Sequence, residues 1–309
     1  MSAPGSVPTH PVIKKAVLPA AGLGTRLRPL TRALPKELLP IGRRPVLAHI
    51  AAELRTAGIT EALFIVSEQK PQIRAYFGEA YRGEVTEEAR DLPPLRCDYV
   101  LQREQRGLGD ALLHAEAWAG TEPFVVAFGD CLIEAAPPLD PAGPLRRLIA
   151  THGAQGATAT VLVESVPKEK VSRYGVLAPE QPLGASPTEP FAAADIVEKP
   201  APEEAPSTLV VAARWVLQPA IFAALRAAPL DPRGELNMTD AVRALRREGG
   251  PLWAVPLHPG EARRDIGNFE SFFAAFVRAA LRDPEAAHAA RRAAEELLRV
   301  TTDADPGTG

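Results

Sequence analysis

Cysteine is scarce in this chain. Its 309 residues hold two, Cys97 and Cys131, in no CxxC arrangement. That excludes a disulfide framework and points to a reducing, cytoplasmic setting. The six histidines are scattered, with no HxxxH or HExxH spacing, which argues against a zinc enzyme. No apolar run reaches the roughly 18 residues of a membrane span. Neither sign of charge dominates: 35 Lys and Arg stand against 38 Asp and Glu, a formal net charge of −3. Phosphate-backbone binding needs clustered cations, so neither a nucleic acid nor a membrane is an expected partner. A small phosphorylated ligand remains open. Three common motifs are also missing. The P-loop pattern GxxxxGK[ST] does not occur, no GxSxG nucleophile turn occurs, and position 27 is Leu where a dinucleotide fingerprint needs its third glycine. The last point disfavours a nicotinamide-dependent dehydrogenase.

What is present is an ordinary globular composition, 46% hydrophobic and 24% charged. Residues 1–12 are rich in Pro, Ser and Thr and read as a disordered leader, and residues 301–309 as a flexible tail. Strand-like runs at 16–20, 63–67, 98–101 and 124–128 alternate with helical stretches at 46–57 and 107–119. This order predicts a three-layer α/β/α, Rossmann-like fold with a mostly parallel mixed sheet. Further strands are expected at 157–166, 209–217 and 252–257, and helices at 239–247, 269–282 and 284–298. The segments 179–190 and 231–235 read as loops. Length alone allows about two domains. The pattern instead favours one unit over 13–282 with a C-terminal helix over 283–300.

Residues 18–40, LPAAGLGTRLRPLTRALPKELLP, carry the strongest chemical signal. A strand runs into Gly22 and Gly24, where bare backbone can approach phosphate and aim N–H groups at it. Arg26 follows directly and Lys36 lies in the Pro35-Lys36-Glu37 element. Two fixed cations beside a glycine turn suit a triphosphate. A tight surface turn with solvated charges is the competing reading of the same residues.

GLGTR followed by PKELLP resembles the sugar-1-phosphate nucleotidyltransferases, and in its PKE form most resembles the bacterial UTP–glucose-1-phosphate uridylyltransferases. The similarity continues in order: Gln102 with Gly107-Leu108-Gly109, Phe128-Gly129-Asp130, Tyr174-Gly175-Val176, Val197-Glu198-Lys199-Pro200, Gly234-Glu235 with Thr239-Asp240, and Asp265-Ile266-Gly267-Asn268. It spans roughly residues 14–282.

The resemblance implies in-line attack of a sugar phosphate on the α-phosphorus of UTP, giving UDP-glucose and pyrophosphate. The attacking oxygen is already anionic, so no Ser, Cys or His nucleophile is required. Arg26 and Lys36 would neutralise the triphosphate. Ala20, Ala21, Gly22, Leu23, Gly24 and Thr25 would line the nucleotide. Gln102 would bond the pyrimidine, and Gly107 would leave room for it. Asp130 and Asp265 would hold Mg²⁺, which prefers oxygen donors. Lys199 would act on the sugar phosphate, with Gly175, Glu198 and Glu235 around the sugar. A homodimer or homotetramer is implied as well.

Some positions depart from the family pattern. Arg43-Arg44-Pro45 replaces an Asp-Lys-Pro element, Ala213 stands where glycine usually precedes Arg214, and 260–264 breaks the usual spacing, leaving Arg263 as the nearest stand-in for a lysine. The segment 86–95 is compact. These departures leave the chemistry intact but bear on which sugar is used and how subunits meet. A thymidylyltransferase or a related enzyme using another sugar phosphate is the nearest alternative. A non-catalytic sugar-nucleotide-binding regulatory homologue is a further one, disfavoured because Arg26, Lys36, Asp130 and Lys199 are all present.

Overall fold

A computed structural model describes residues 13–83, 91–184 and 186–303. The expected leader at 1–12 and residues 86–90 of the compact segment lie outside the described residues, as does the expected tail beyond residue 303.

The strands are β1 (Lys15–Pro19), β2 (Pro40–Ile41), β3 (Arg44–Pro45), β4 (Glu61–Val66), β5 (Ala80–Tyr81), β6 (Leu95–Leu101) and β7 (Phe124–Ala127). They continue with β8 (Cys131–Ala135), β9 (Ala159–Ser165), β10 (Gly175–Pro179), β11 (Phe191–Glu198), β12 (Leu209–Leu217), β13 (Leu252–Pro256) and β14 (Glu261–Asp265). The helices are α1 (Val46–Thr56), α2 (Pro71–Phe77), α3 (Leu108–Leu113), α4 (Glu116–Ala119), α5 (Gly143–Ala154), α6 (Ala220–Ala227), α7 (Met238–Arg247), α8 (Phe269–Arg282) and α9 (Ala287–Asp303).

Ten strands form one sheet in the order β10-β11-β13-β9-β12-β7-β1-β4-β6-β5. Successive strand side chains face opposite layers. Ala16 and Leu18 of β1 join one core cluster with Phe64 of β4 and with Leu47, Ile50 and Leu54 of α1. Val17 between them faces the other, with Phe222 of α6 and Val242 of α7. The three-layer arrangement therefore follows from apolar runs buried on both sides.

The expected parallel majority does not hold. β1–β4, β1–β7, β4–β6 and β9–β13 are parallel. The pairings β7–β12, β9–β12, β11–β13, β10–β11, β10–β12 and β5–β6 are antiparallel. The βα alternation of the first half dictates the parallel part. From β9 onward β10, β11 and β12 follow one another without an intervening α-helix, and such connections favour antiparallel neighbours. Two helical boundaries also shift. The stretch expected as one helix at 107–119 is broken into α3 and α4. The last helix starts at Ala287, not 284, and takes in 301–303, expected as tail. Asp283 caps that junction, its side chain accepting from the backbone N–H groups of Glu285 and Ala286 at 3.0 and 2.8 Å.

Candidate active site

The glycine turn leaves the carboxyl end of β1, where parallel sheets place ligands. The Ala20 N–H donates to the Ile65 carbonyl at 2.8 Å, fixing where the turn starts. Ala20 and Ala21 are buried, while Gly22, Leu23, Thr25 and Arg26 are exposed. Gly24 adopts φ 62° ahead of a short 3-10 helix over Thr25–Leu27. A Cβ there would meet Thr31 at 3.2 Å and the Lys36 side chain at 3.4 Å. Glycine is therefore needed twice over, for its left-handed backbone and for the close passage of Lys36. The Lys36 ammonium lies 3.9 Å from the position of a Cβ on Gly22 and pairs with Asp130.

Asp130 and Asp265 come from distant parts of the sequence, and a ribbon the sequence did not reveal joins them. β8 pairs antiparallel with β14, with Cys131 opposite Asp265. The Ile266 N–H donates to the Asp130 carbonyl at 2.8 Å. Burial pushes Asp130 up, but Lys36 outweighs it and holds the carboxyl below its usual range. Burial also raises Asp265, and the Asp130 charge adds to this, against Arg263, Lys36 and Arg26. Burial works against the Lys36 charge, yet Asp130 and Glu37 hold its pKa above the ordinary value. Gly267 lets Arg26 in: a Cβ there would stand 3.3 Å from the Arg26 guanidinium and 2.7 Å from the Asp265 carboxylate. Arg26, Lys36, Asp130 and Asp265 thus form one cluster. No group of three or more His, Cys, Asp and Glu able to hold a metal occurs among the described residues. Two carboxylates fit a hard cation that takes its other ligands from phosphate and water.

Gln102 and Gly107 form a second group on the far side of β4. The Gln102 N–H donates to the Val66 carbonyl at 2.9 Å. Its side-chain Nε2 donates to Asp110 at 2.7 Å and to the Gly107 carbonyl at 3.3 Å. Both amide hydrogens are then used, and Oε1 remains as the acceptor. Gly107 has φ 94°, and a Cβ there would meet the Leu236 carbonyl at 2.8 Å. Its bareness is therefore demanded by the segment Glu235–Leu236.

Gly175, Glu198 and Lys199 form the third group. Gly175 and Glu198 are cross-strand partners. Glu198 accepts from the Thr239 hydroxyl at 2.8 Å and pairs with Lys199 at 2.8 Å. Lys199 itself has φ 45°, an uncommon conformation for a non-glycine residue. Glu235 pairs with Arg233 at 3.0 Å on the adjoining loop. This group reaches the carboxylate cluster through Tyr174. The Lys199 N–H donates to the Tyr174 carbonyl at 3.0 Å, and the Arg263 guanidinium lies 4.2 Å from the Tyr174 ring centre. Arg263 also bonds Glu164 at 2.7 Å, so it is committed to structure where the family pattern has a lysine.

Several residues of the site escaped the sequence reading. Thr239 and Glu37 lay inside quoted motifs without a role. Arg214 entered only as the residue after Ala213, without a role, and Asp110, Glu53 and Lys70 gave no motif signal. Lys70, a polar residue just past an apolar strand, carried the only usable hint. Arg214 is fully buried, donates to both oxygens of Glu53 at 3.1 and 2.7 Å, and holds the carbonyl of Cys131 at 3.1 Å.

The nucleotidyl transferase family model matches residues 15–281, nearly the whole described chain. The chain belongs to the nucleotidyl transferase family. Among curated family members, the UTP–glucose-1-phosphate uridylyltransferase of Mycoplasma pneumoniae is 36% identical over 283 residues, covering 88% of this chain and 94% of its own. The UTP–glucose-1-phosphate uridylyltransferase YngB of Bacillus subtilis is 36% identical over 284 residues, covering 88% and 91%. Of solved structures, the UTP-bound UGPase from Acinetobacter baumannii superposes with TM-score 0.79 at 28% identity, over 93% of this chain and all of that one. A UDP-glucose pyrophosphorylase complexed with UDP-glucose gives TM-score 0.74 at 31% identity, over 86% and 97%.

Proposed function

We propose that this nucleotidyl transferase joins UTP to glucose 1-phosphate, releasing pyrophosphate and forming UDP-glucose. The observation that carries this reading is the convergence of Arg26, Lys36, Asp130 and Asp265 beside the glycine turn. Such a cluster handles polyanions and offers no covalent nucleophile. The uridylyltransferase and pyrophosphorylase names of its relatives support the choice of substrates.

In this reading the backbone of residues 20–25 receives the triphosphate. Arg26 and Lys36 carry the charge that grows on pyrophosphate as it leaves. The Gln102 Oε1 accepts from the uracil N3–H. Glu198 takes sugar hydroxyls through an acceptor already oriented by Thr239. Lys199, half exposed, exchanges its partner Glu198 for the sugar phosphate. Gly175 and Glu235 line the sugar. Asp130 and Asp265 hold the divalent cation, taken to be Mg²⁺. When bound, the cation neutralises phosphate charge. The rest of the catalysis is positioning of two anions that otherwise repel.

A cytoplasmic location is proposed on the two buried free cysteines; no helix among the described residues is long and apolar enough to cross a membrane. Self-association is proposed on the exposed Phe273, Phe276 and Val277 of α8.

The deciding experiment incubates the purified protein with Mg²⁺, one nucleoside triphosphate and one sugar 1-phosphate, and measures pyrophosphate. UTP with glucose 1-phosphate is expected to turn over fastest. Faster turnover with dTTP, or with another sugar phosphate, would reassign the substrates. No turnover with any pair would remove the enzymatic reading.

A further inference from the structure

Beneath the glycine turn lies a charged pair to which the reaction above gives no task. Lys70 immediately precedes α2, at the end of the turn that follows β4. Its Nζ donates to both Glu37 oxygens, at 2.9 and 2.7 Å, and to the Ala20 carbonyl at 2.7 Å. Lys70 is 6% exposed and Glu37 1%. The Lys70 backbone is pinned as well, its N–H donating to the Ser67 carbonyl at 3.1 Å.

Stability alone does not account for this pair. Desolvating two charges costs about what their attraction returns, and apolar replacements of similar volume are often neutral or stabilising. The three bonds share a different property. Ala20 opens the glycine turn, two residues ahead of Gly22, and Glu37 directly follows Lys36. One ammonium therefore joins the start of the turn to the backbone from which Lys36 departs. Lys36 then runs past Gly24 and Gly22 to Asp130.

We propose that Lys70, acting with Glu37, is a positioning residue of the nucleotide site. It locks the glycine turn to the Lys36 turn, so that the N–H groups of one and the ammonium of the other meet the same triphosphate. The proposal rests on the uridylyltransferase reading for the identity of that triphosphate.

The test replaces the pair with apolar side chains, Lys70→Met with Glu37→Met. The double variant is expected to unfold cooperatively with a melting midpoint near that of wild type. Its calorimetric Kd and its KM for UTP should rise at least ~10-fold, as expected for a displaced binding group. Its KM for glucose 1-phosphate at saturating UTP should stay within about twofold, because the sugar group does not touch the pair. A merely structural pair would shift the midpoint and leave the two KM values in their wild-type ratio. That outcome, or an unchanged UTP Kd, overturns the proposal. If the double variant does not fold, Glu37→Gln decides. It keeps the shape and one acceptor, and is expected to raise the UTP KM by about threefold, a partial loss of the charge-assisted bond. An unchanged UTP KM there overturns the proposal as well. Wild-type turnover is measured alongside. An inactive wild type counts against the uridylyltransferase reading, while the UTP Kd still decides the role of Lys70.

Discussion

At Ala213 the backbone takes φ 59° where β12 breaks register with β9. A Cβ in this region costs roughly 1–2 kcal/mol. Ala213→Gly should relieve that strain, offset by glycine's larger unfolded-state entropy. A net gain of a few tenths to about 1 kcal/mol is expected in urea unfolding. A net loss would mean that the alanine methyl packs more favourably than its backbone costs. Asp130→Asn tests the chemistry at the same scale. It keeps the shape but removes the charge that faces Lys36 and that is proposed to hold the cation. Turnover should fall by at least ~100-fold while the variant still unfolds cooperatively, its midpoint lowered because Lys36 loses its partner. Near wild-type turnover would take Asp130 out of the site. Asp130 stood out because it follows an apolar strand, where a carboxylate invites a reason. Its pairing with Asp265 was expected from the family resemblance alone. Nothing local ties Lys36 or Asp265 to it.

The elements show why. β14 reads EARRD, with no apolar alternation, and the sequence offered no reason to see a strand. Its cross-strand partner β8 and its ion pairs hold it instead, Arg147 to Glu261 at 2.6 Å and Arg264 to Glu134 at 3.0 Å. The helix α8, by contrast, was legible to the residue, because Asn268 and Ser271 form a reciprocal capping box ahead of an apolar repeat. Arg214 links strand to site. Removing its charge with Arg214→Met leaves Glu53 buried and unpaired, and should destabilise by about 3–5 kcal/mol in denaturant unfolding. A loss below about 1 kcal/mol would show that water reaches Glu53. At the end of α5, His152 lies buried between Thr160 at 2.9 Å and Gln218 at 3.1 Å. Burial lowers its pKa from 6.5 to about 4. The unfolded chain therefore binds the proton first as pH falls. Stability should decline through the window between those two values, by up to about 1.4 kcal/mol per pH unit, and level off below it. His152→Gln should flatten that decline, read from midpoints across the window. An unflattened slope assigns it to other groups.

At the scale of the molecule, a net charge of −3 is compatible with polyanionic ligands because placement matters more than count. Arg26 and Lys36 face one cluster, and Lys199 stands beyond it. The sheet is parallel where β1, β4 and β7 present the glycine turn and Asp130, and antiparallel where Glu198 and Lys199 leave β11. The two parts meet along β7 and β12. The exposed Phe273, Phe276 and Val277 belong to this scale too. Phe273→Asp with Phe276→Asp should lower the mass seen by sedimentation velocity if α8 packs on a second copy. An unchanged mass would place the contact elsewhere.

The sequence by itself determined the parallel half of the sheet and the glycine turn, and it singled out most of the charged residues proposed for the site. These depend on local patterns: apolar runs, glycines at a strand end, motifs within a few residues. Tertiary structure decided the antiparallel half, the β8–β14 ribbon that brings Asp130 to Asp265, and the Lys70–Glu37 joint. Each of these joins distant segments through cross-strand bonds or buried ion pairs, whose energy depends on a geometry that no local pattern encodes.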